Sequence, residues 1–265
     1  VYKAEYTLDK KGNRVALSYY DERGQNIQSD WDVARYVWEK LENGVVKENR
    51  YNLKGEQVTI RPGFDFYEVR MTFDKNGYVS ILSNYGLDGK PTDNTTGVAY
   101  DKLVYSNKGD FMGWKVFNKN NQPVLGNYPQ VAEGKHTYNE FGDNMKTETF
   151  DLQGSYRVAS WGYAFDAKTY DAYGNMIEHN QFDQNKDVLA SDGRRLMYTR
   201  LEYNDRNQIL STTFMDKDRK LLSGGTHRSA TVAMKYDDDF RLIEVSYKDP
   251  TGKLVESSLR GNAIE

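Results

Sequence analysis

The chain has 265 residues, with 36 basic and 39 acidic side chains and a net charge of -3. It carries no basic excess to release counterions from a phosphate backbone, which argues against nucleic acid as its main partner. Cysteine is absent, which removes disulfides, thiolate zinc sites and cysteine nucleophiles together, and no run of 18 apolar residues is present to span a bilayer.

Strand-like alternation begins at once in "VYKAEYTLDKKG", so any targeting segment is expected upstream. The 21 tyrosines suit a thin sheet, because each buries a ring and leaves its hydroxyl wet. An aromatic before a turn recurs at Tyr20, Tyr51, Phe73, Tyr105, Tyr138, Tyr170, Tyr203 and Tyr236. From Phe73 onward the steps are near-equal at about 33 residues, the mark of a repeat architecture. The shorter step from Tyr51 to Phe73 reads as a repeat with a deleted loop. A second aromatic follows eleven or twelve residues later at Trp31, Tyr85, Phe117, Phe150, Phe182, Phe214 and Tyr247.

The first segment open to two readings is "SDWDVARYVWEKLENG", residues 29–44. It fits an amphipathic helix capped by Asp30 and stopped by Gly44. It equally fits a hairpin closed by Asn43-Gly44, with "ARYVWEKL" facing "VVKENRY"; the repeat register favours the hairpin. Farther along, "DKNGY", "SNKGD", "NEFGD" and "DAYGN" are hairpin turns. Their Asp or Asn can bond the backbone two residues on, and their Gly accepts positive φ. Toward the end Ile243, Val245 and Tyr247 alternate with Glu244 and Ser246, as a half-buried strand does.

Two strands in each of about eight units predict an all-β chain: an antiparallel meander of 33-residue repeats forming a curved or superhelical sheet. A propeller is the rival, since two units would supply one four-stranded blade. The whole of 1–265 reads as a single repeat-built domain, irregular over 1–72 and regular over 73–265, and as part of a longer protein.

The pairs "YDAYGN…FDQNKDV" and "YDDDFRLIEVSYKDPTGKLV" resemble the tyrosine-aspartate (YD, or Rhs-type) repeats of bacterial secreted and surface proteins. They are also similar to tandem "YDxxGN…YFDxxGKPV" doublets. Typical YD repeats are distinctly shorter than the doublet unit seen here. The resemblance implies a scaffold, shell or adhesion role and brings no catalytic residues.

One carboxylate per turn lacks the dense ligand set of a calcium loop, so the aromatic-Asp pairs read as structural. Asp237, Asp238 and Asp239 read as a charge-rich hairpin tip, with a weak cation site as the rival. His136, His179 and His227 fall at different phases of the repeat, against a shared metal site. No nucleophile elbow, P-loop or zincin motif occurs, whereas paired acids for glycoside chemistry stay open. Asn94-Thr95-Thr96 is a formal glycosylation sequon. Trp31, Trp38, Trp114 and Trp161 depart from the repeat consensus and are the candidate ligand contacts, with core filling as their other reading.

The expectation is therefore a non-enzymatic, exported bacterial scaffold. It would bind or enclose a protein partner or other domains of a longer chain, with no cofactor, no metal, no nucleic acid and no membrane insertion. A carbohydrate-binding surface module is the second reading, and a polysaccharide-active enzyme the third.

Overall fold

The computed structural model describes residues 2–60, 64, 66–189, 198–224 and 228–257. By its internal contacts the chain divides into two compact units, Val1–Gly134 and Lys135–Glu265, and no α-helix occurs among the described residues. The expected all-β antiparallel meander is what the chain forms.

In the first unit, the long strands β1 (Lys3–Leu8) and β2 (Arg14–Tyr20) form a hairpin, followed by the two-residue β3 (Asn26–Ile27). The next hairpin is β4 (Arg35–Lys40) with β5 (Val46–Tyr51), followed by β6 (Gln57–Val58). Then come β7 (Glu68–Phe73) with β8 (Val79–Tyr85), and β9 (Tyr100–Tyr105) with β10 (Phe111–Phe117). Each hairpin is laddered to the next through β2–β4, β5–β7 and β8–β9. Blades of a propeller would break this ladder every four strands, and it does not break.

The second unit repeats the plan. Strand β11 (Glu133–Tyr138) leads by a tight turn into β12 (Asn144–Phe150). Next are β13 (Phe165–Tyr170), β14 (Met176–Phe182) and the short β15 (Val188–Leu189). The unit continues with β16 (Tyr198–Tyr203), β17 (Ile209–Met215), β18 (Thr231–Tyr236) and β19 (Leu242–Lys248). Pairing runs without interruption from β12 to β13, β14, β16, β17, β18 and β19.

The segment 29–44 resolves as the hairpin: Arg35 faces Tyr51 and Lys40 faces Val46. Its turn is closed by Gly44 N donating to Leu41 O at 3.0 Å, with Gly44 at φ 81°.

Every hairpin tip has this same construction. The turns begin at Asp9, Leu41, Asp74, Ser106, Asn139, Asp171, Asn204 and Asp237, and in each the N–H three residues on donates to the first carbonyl. The spacing of these starts is near-constant along the whole chain. A second series follows the second strand of each hairpin, at Asp21, Asn52, Gly86, Asn118, Asp151, Asp183, Asp216 and Asp249. Tyr20 and Tyr51 therefore close second strands, not first strands. The short step from Tyr51 to Phe73 is a change of series, and the segment 1–72 contains no deleted repeat. The second-strand series is Tyr20, Tyr51, Tyr85, Phe117, Phe150, Phe182, Met215 and Lys248. Phe214 and Tyr247 lie one residue earlier and point to the other face, where Tyr247 is 3% exposed. Trp31 belongs to neither series; it sits in a third turn, begun by Ser29.

The side chain that opens each turn also closes it. Asp151 Oδ1 accepts the N–H groups of Gln153 and Ser155, both at 2.9 Å; Asn118 and Asn204 do the same. This is the Asx-turn, in which a short side chain replaces a backbone partner. Leu41 and Gly86 have no such acceptor, and the residue two positions on, Asn43 or Asp88, supplies it.

The core is not the aromatic row the sequence suggests. Tyr138, Phe150, Tyr170 and Phe182 are only half-buried. The buried row is Ala34, Ala99, Ala132, Ala164 and Ala230, at the entrance to the first strand of its repeat, often preceded by a buried Val33, Val98 or Val131. Ala99 N donates to Phe117 O, and Ala99 O accepts from Asn84 N, both at 2.8 Å. Ala164 and Ala230 bridge their neighbours identically. Ala99 is 1% exposed, and the chain after the second turn folds back over the adjoining Val98. There a Cβ on Gly126 would stand 2.3 Å from Val98 Cγ2.

Three half-buried aromatics that end second strands are covered by cations. Arg70 lies 3.7 Å from the Tyr85 ring centroid, Lys102 4.8 Å from Phe117 and Lys135 4.6 Å from Phe150. Each contact contributes about 0.5–1 kcal/mol at such partly exposed sites.

Gly154 takes φ 79° with nothing within 4 Å of an added Cβ. Gly154→Ala therefore tests backbone conformation alone, and urea unfolding should show a loss of about 1 kcal/mol. Ala99→Leu, which forces a larger side chain into the bridging row, should cost about 1–3 kcal/mol in the same assay.

Candidate functional site

The four tryptophans occupy three places. In the first unit Trp38 lies beside Tyr6 (centroids 6.4 Å apart, planes at 26°) and Tyr36 (6.1 Å, 18°). Its Nε1 donates to Glu48 Oε2 at 2.8 Å. The Arg50 guanidinium lies over Tyr36 at 4.8 Å and reaches Trp31 at 5.9 Å. Trp31 and Trp38 are thus joined through Tyr36 and Arg50. Trp31 is 48% exposed and Tyr6 45%.

Trp114 stands apart, beside Phe111 (6.1 Å, 11°). It lies so close over Gly134 that a Cβ there would be 2.1 Å from the indole. In the second unit Trp161 pairs with Tyr163 at 5.7 Å. Its buried Nε1 has no hydrogen-bond partner among the described residues.

The register explains the first-unit group. Residues directly opposite in a ladder share a face, as do alternate residues of a strand. Tyr6 faces Leu17, Leu17 faces Tyr36, and Trp38 faces Glu48. The alternation in "ARYVWEKL" signals that Tyr36 and Trp38 belong together. Tyr6, Arg14 and Arg50 carry no such local signal, because they arrive from other strands.

The titratable groups form separate networks. In the first unit Asn127 Nδ2 donates to Asp101 Oδ1 at 2.8 Å, and Asn127 Oδ1 accepts from Asn94 Nδ2 at 2.9 Å. Burial pushes the Asp101 carboxyl from 3.8 up to about 6, and the bond from Asn127 only partly offsets it. Asn94, the sequon residue, is 6% exposed with its amide engaged in this network.

In the second unit Asp166 is 3% exposed. Its Oδ1 accepts from Thr147 N at 2.9 Å, and its Oδ2 lies 2.8 Å from Lys168 Nζ and 3.0 Å from His179 Nε2. Burial alone would raise this carboxyl. Hydrogen bonds from His179 and Lys168, together with their charges, outweigh burial and hold it at about 2. His136 Nδ1 lies 3.0 Å from Thr147 Oγ1, and burial lowers its pKa from 6.5. Two of the three histidines thus join one network, while His227 lies outside the described residues. Asp166 is engaged by Lys168, His179 and a backbone N–H, and no second carboxylate joins this network among the described residues.

At the last tip, Asp237 Oδ1 accepts from the backbone N–H groups of Asp239 and Arg241. Arg241 bridges Asp237 Oδ2 and Asp239 Oδ2, each at 2.8 Å. Asp237 and Asp239 are thus paired within the tip.

No family model matches the chain, and no curated protein matches it. Among solved structures, the crystal structure of TcdB2-TccC3-TEV aligns with 11% identity and a TM-score of 0.47, over 91% of this chain and 12% of that one. The structure of a Photorhabdus luminescens Tc holotoxin pore aligns with 12% identity and a TM-score of 0.37, over 92% and 14%. The chain spans less than one sixth of the length of either.

The raised Asp101 carboxyl has a signed consequence. A carboxyl held above its unfolded value favours the folded state most fully below about pH 4, and that contribution is lost as pH rises through about 6. Asp101→Asn keeps an acceptor for Asn127 without the charge. Its stability relative to the parent should rise between pH 4 and pH 7, by about 1–3 kcal/mol in urea titrations at each pH.

Proposed function

We propose that this chain is a non-enzymatic repeat scaffold that binds or encloses a protein partner, in the envelope or outside a bacterial cell. One observation carries the reading: the polar residues that recur through the repeats are engaged by their own turns. An Asp, Asn or Ser at the head of each turn, or a residue two positions on, accepts the backbone N–H groups of that turn, as at Asp151 and Asn118. These groups set spacing, whereas catalysis requires irregular groups converging on a reacting atom. In the most elaborate titratable network, Asp166 is ion-paired with Lys168 and bonded to His179.

Export is supported by the lack of cysteine and by the resemblance of the paired motifs to secreted YD repeats. Two neighbouring hairpin tips present large rings to solvent, Phe141 at 81% and Tyr173 at 84% exposure. They are suitable positions for a probe of what the scaffold contacts.

A photo-crosslinking amino acid at Tyr173, introduced in the source bacterium, should capture one defined protein from a non-cytoplasmic fraction. Purified chain should turn over none of a panel of polysaccharides and esters. Saturable turnover abolished by Asp166→Asn in a folded variant would replace the scaffold with an enzyme, and exclusively cytoplasmic fractionation would remove export.

A further inference from the structure

Asp101 and Asp166 hold the same position in their repeats, two residues after the buried Ala99 and Ala164. Their surroundings differ. Asp166 faces Thr147 and Gln181, and the next pair on its face is Lys168 opposite His179. Asp101 faces Leu82 and Val116, and the corresponding pair is Leu103 opposite Trp114. The groups that keep Asp166 ionised are thus replaced around Asp101 by three aliphatic side chains and an indole.

Asp101 is met instead by a loop. Asn127 N donates to Thr96 Oγ1 at 2.7 Å, its Oδ1 accepts from Asn94 Nδ2, and its Nδ2 donates to Asp101 Oδ1. One side chain therefore pins residues 126–131 to the turn at 94–97 and to β9. Asn127 and Gln130 take φ 55° and 58°, a left-handed region that residues other than Gly enter at a cost. The loop also covers part of the core. A Cβ on Gly126 would meet Val98 Cγ2 at 2.3 Å, and both Val98 and Val131 are fully buried.

No charged side chain stands on β8, in the turn at 94–97 or in the loop itself, where Tyr128 is the titratable group and is 69% exposed. Lys102 and Lys115 face each other one position along, on the opposite face of the sheet, where Glu133 pairs with Lys115 at 3.1 Å. Asp93, beside the turn, accepts from Lys119 N at 2.7 Å. Asp101 has no ion-pair partner among the described residues, so its charge is set by burial and by Asn127.

We infer that Asp101 and Asn127 form a pH-sensitive latch, which holds the loop 126–131 over Val98 and Val131 in acid and releases it as Asp101 ionises. With the loop closed, burial keeps the Asp101 carboxyl at about 6, and the bond from Asn127 offsets only part of that effect. Opening hydrates the carboxyl and returns it toward its ordinary value. The open form then binds fewer protons, so closure is favoured most below about pH 4 and loses ground as pH rises through about 6. Local opening of this kind leaves the strands beneath intact. It uncovers an apolar patch at neutral pH that acid conceals. The scaffold reading does not require the latch, and each stands or falls separately.

The test is hydrogen exchange of the full chain at about pH 5 and about pH 8, corrected for the intrinsic pH dependence of exchange. Protection of amides in 126–131 should fall by about tenfold or more at the higher pH, one factor of ten for each unit of pKa lost on opening. Protection in the β9–β10 hairpin should stay unchanged. Asp101→Asn has no charge to gain and should remove the pH dependence of the loop. Leu103→Lys, which supplies the cation found at Lys168, should also flatten it while leaving Asp101 in place. Loop protection independent of pH in the parent chain would overturn the latch, as would an equal fall in Asp101→Asn. A fall shared by the whole first unit would replace local release with global destabilisation and overturn it as well.

Discussion

The whole array depends on a turn that closes without outside help. A meander of long strands reverses at every strand end, and each reversal leaves backbone N–H groups that must be satisfied. Here a short Asp, Asn or Ser side chain accepts two of them, and a residue at positive φ three positions on completes the reversal. Gly usually fills that position, but Lys186 (φ 70°), Arg219 (64°) and Phe240 (63°) also hold it. Arg219 is held in part by its ion pair to Glu178 and by its contact with the Tyr198 ring, and Phe240 by Arg206 over its ring. The turn geometry persists where the sequence abandons its preferred residue, which marks it as the fixed element of the design.

Fixed turns set the spacing, and the spacing determines where a core can form. A sheet of two-stranded units has little depth. Part of that depth comes from the segment after the second strand, which in the fourth repeat passes back over Val98 at the entrance to its own hairpin. Beside that return lie the buried alanines, of which Ala34, Ala99, Ala164 and Ala230 are each hydrogen-bonded to a strand on either side. The large rings are displaced to the flanks, where diagonal Lys and Arg side chains shield one face. Burial is thus divided between a narrow aliphatic seam and a series of cation-covered aromatics, and this suits a chain rich in tyrosine and charge.

Departures from the repeat are where the two units acquire individual character. The first unit concentrates Tyr6, Tyr36 and Trp38 on one face. The second unit instead holds a buried Asp166 with Lys168, His179 and Thr147. The Asp166 carboxylate has its partners within the unit.

The sequence by itself determined the all-β class, the repeat length, the hairpin turns and the pairing of Tyr36 with Trp38, because these depend on near neighbours along the chain. It also carried the correct hairpin at residues 35–51, through Asn43-Gly44 and the alternation on either side. It did not distinguish the two turn series. Tyr20 and Tyr51 look like Tyr170 to any local pattern, and only strand pairing shows that they end second strands. The alanine seam was equally hidden, since an isolated Ala has no periodic signature until the returning segment covers it. The Tyr6, Tyr36 and Trp38 group and the Asp166 network each draw residues from several strands. Side chains such as Arg14 and Trp38, or Asp166 and His179, become neighbours only when register brings their strands together. Local chemistry wrote the turns, and tertiary pairing decided which side chains share a site.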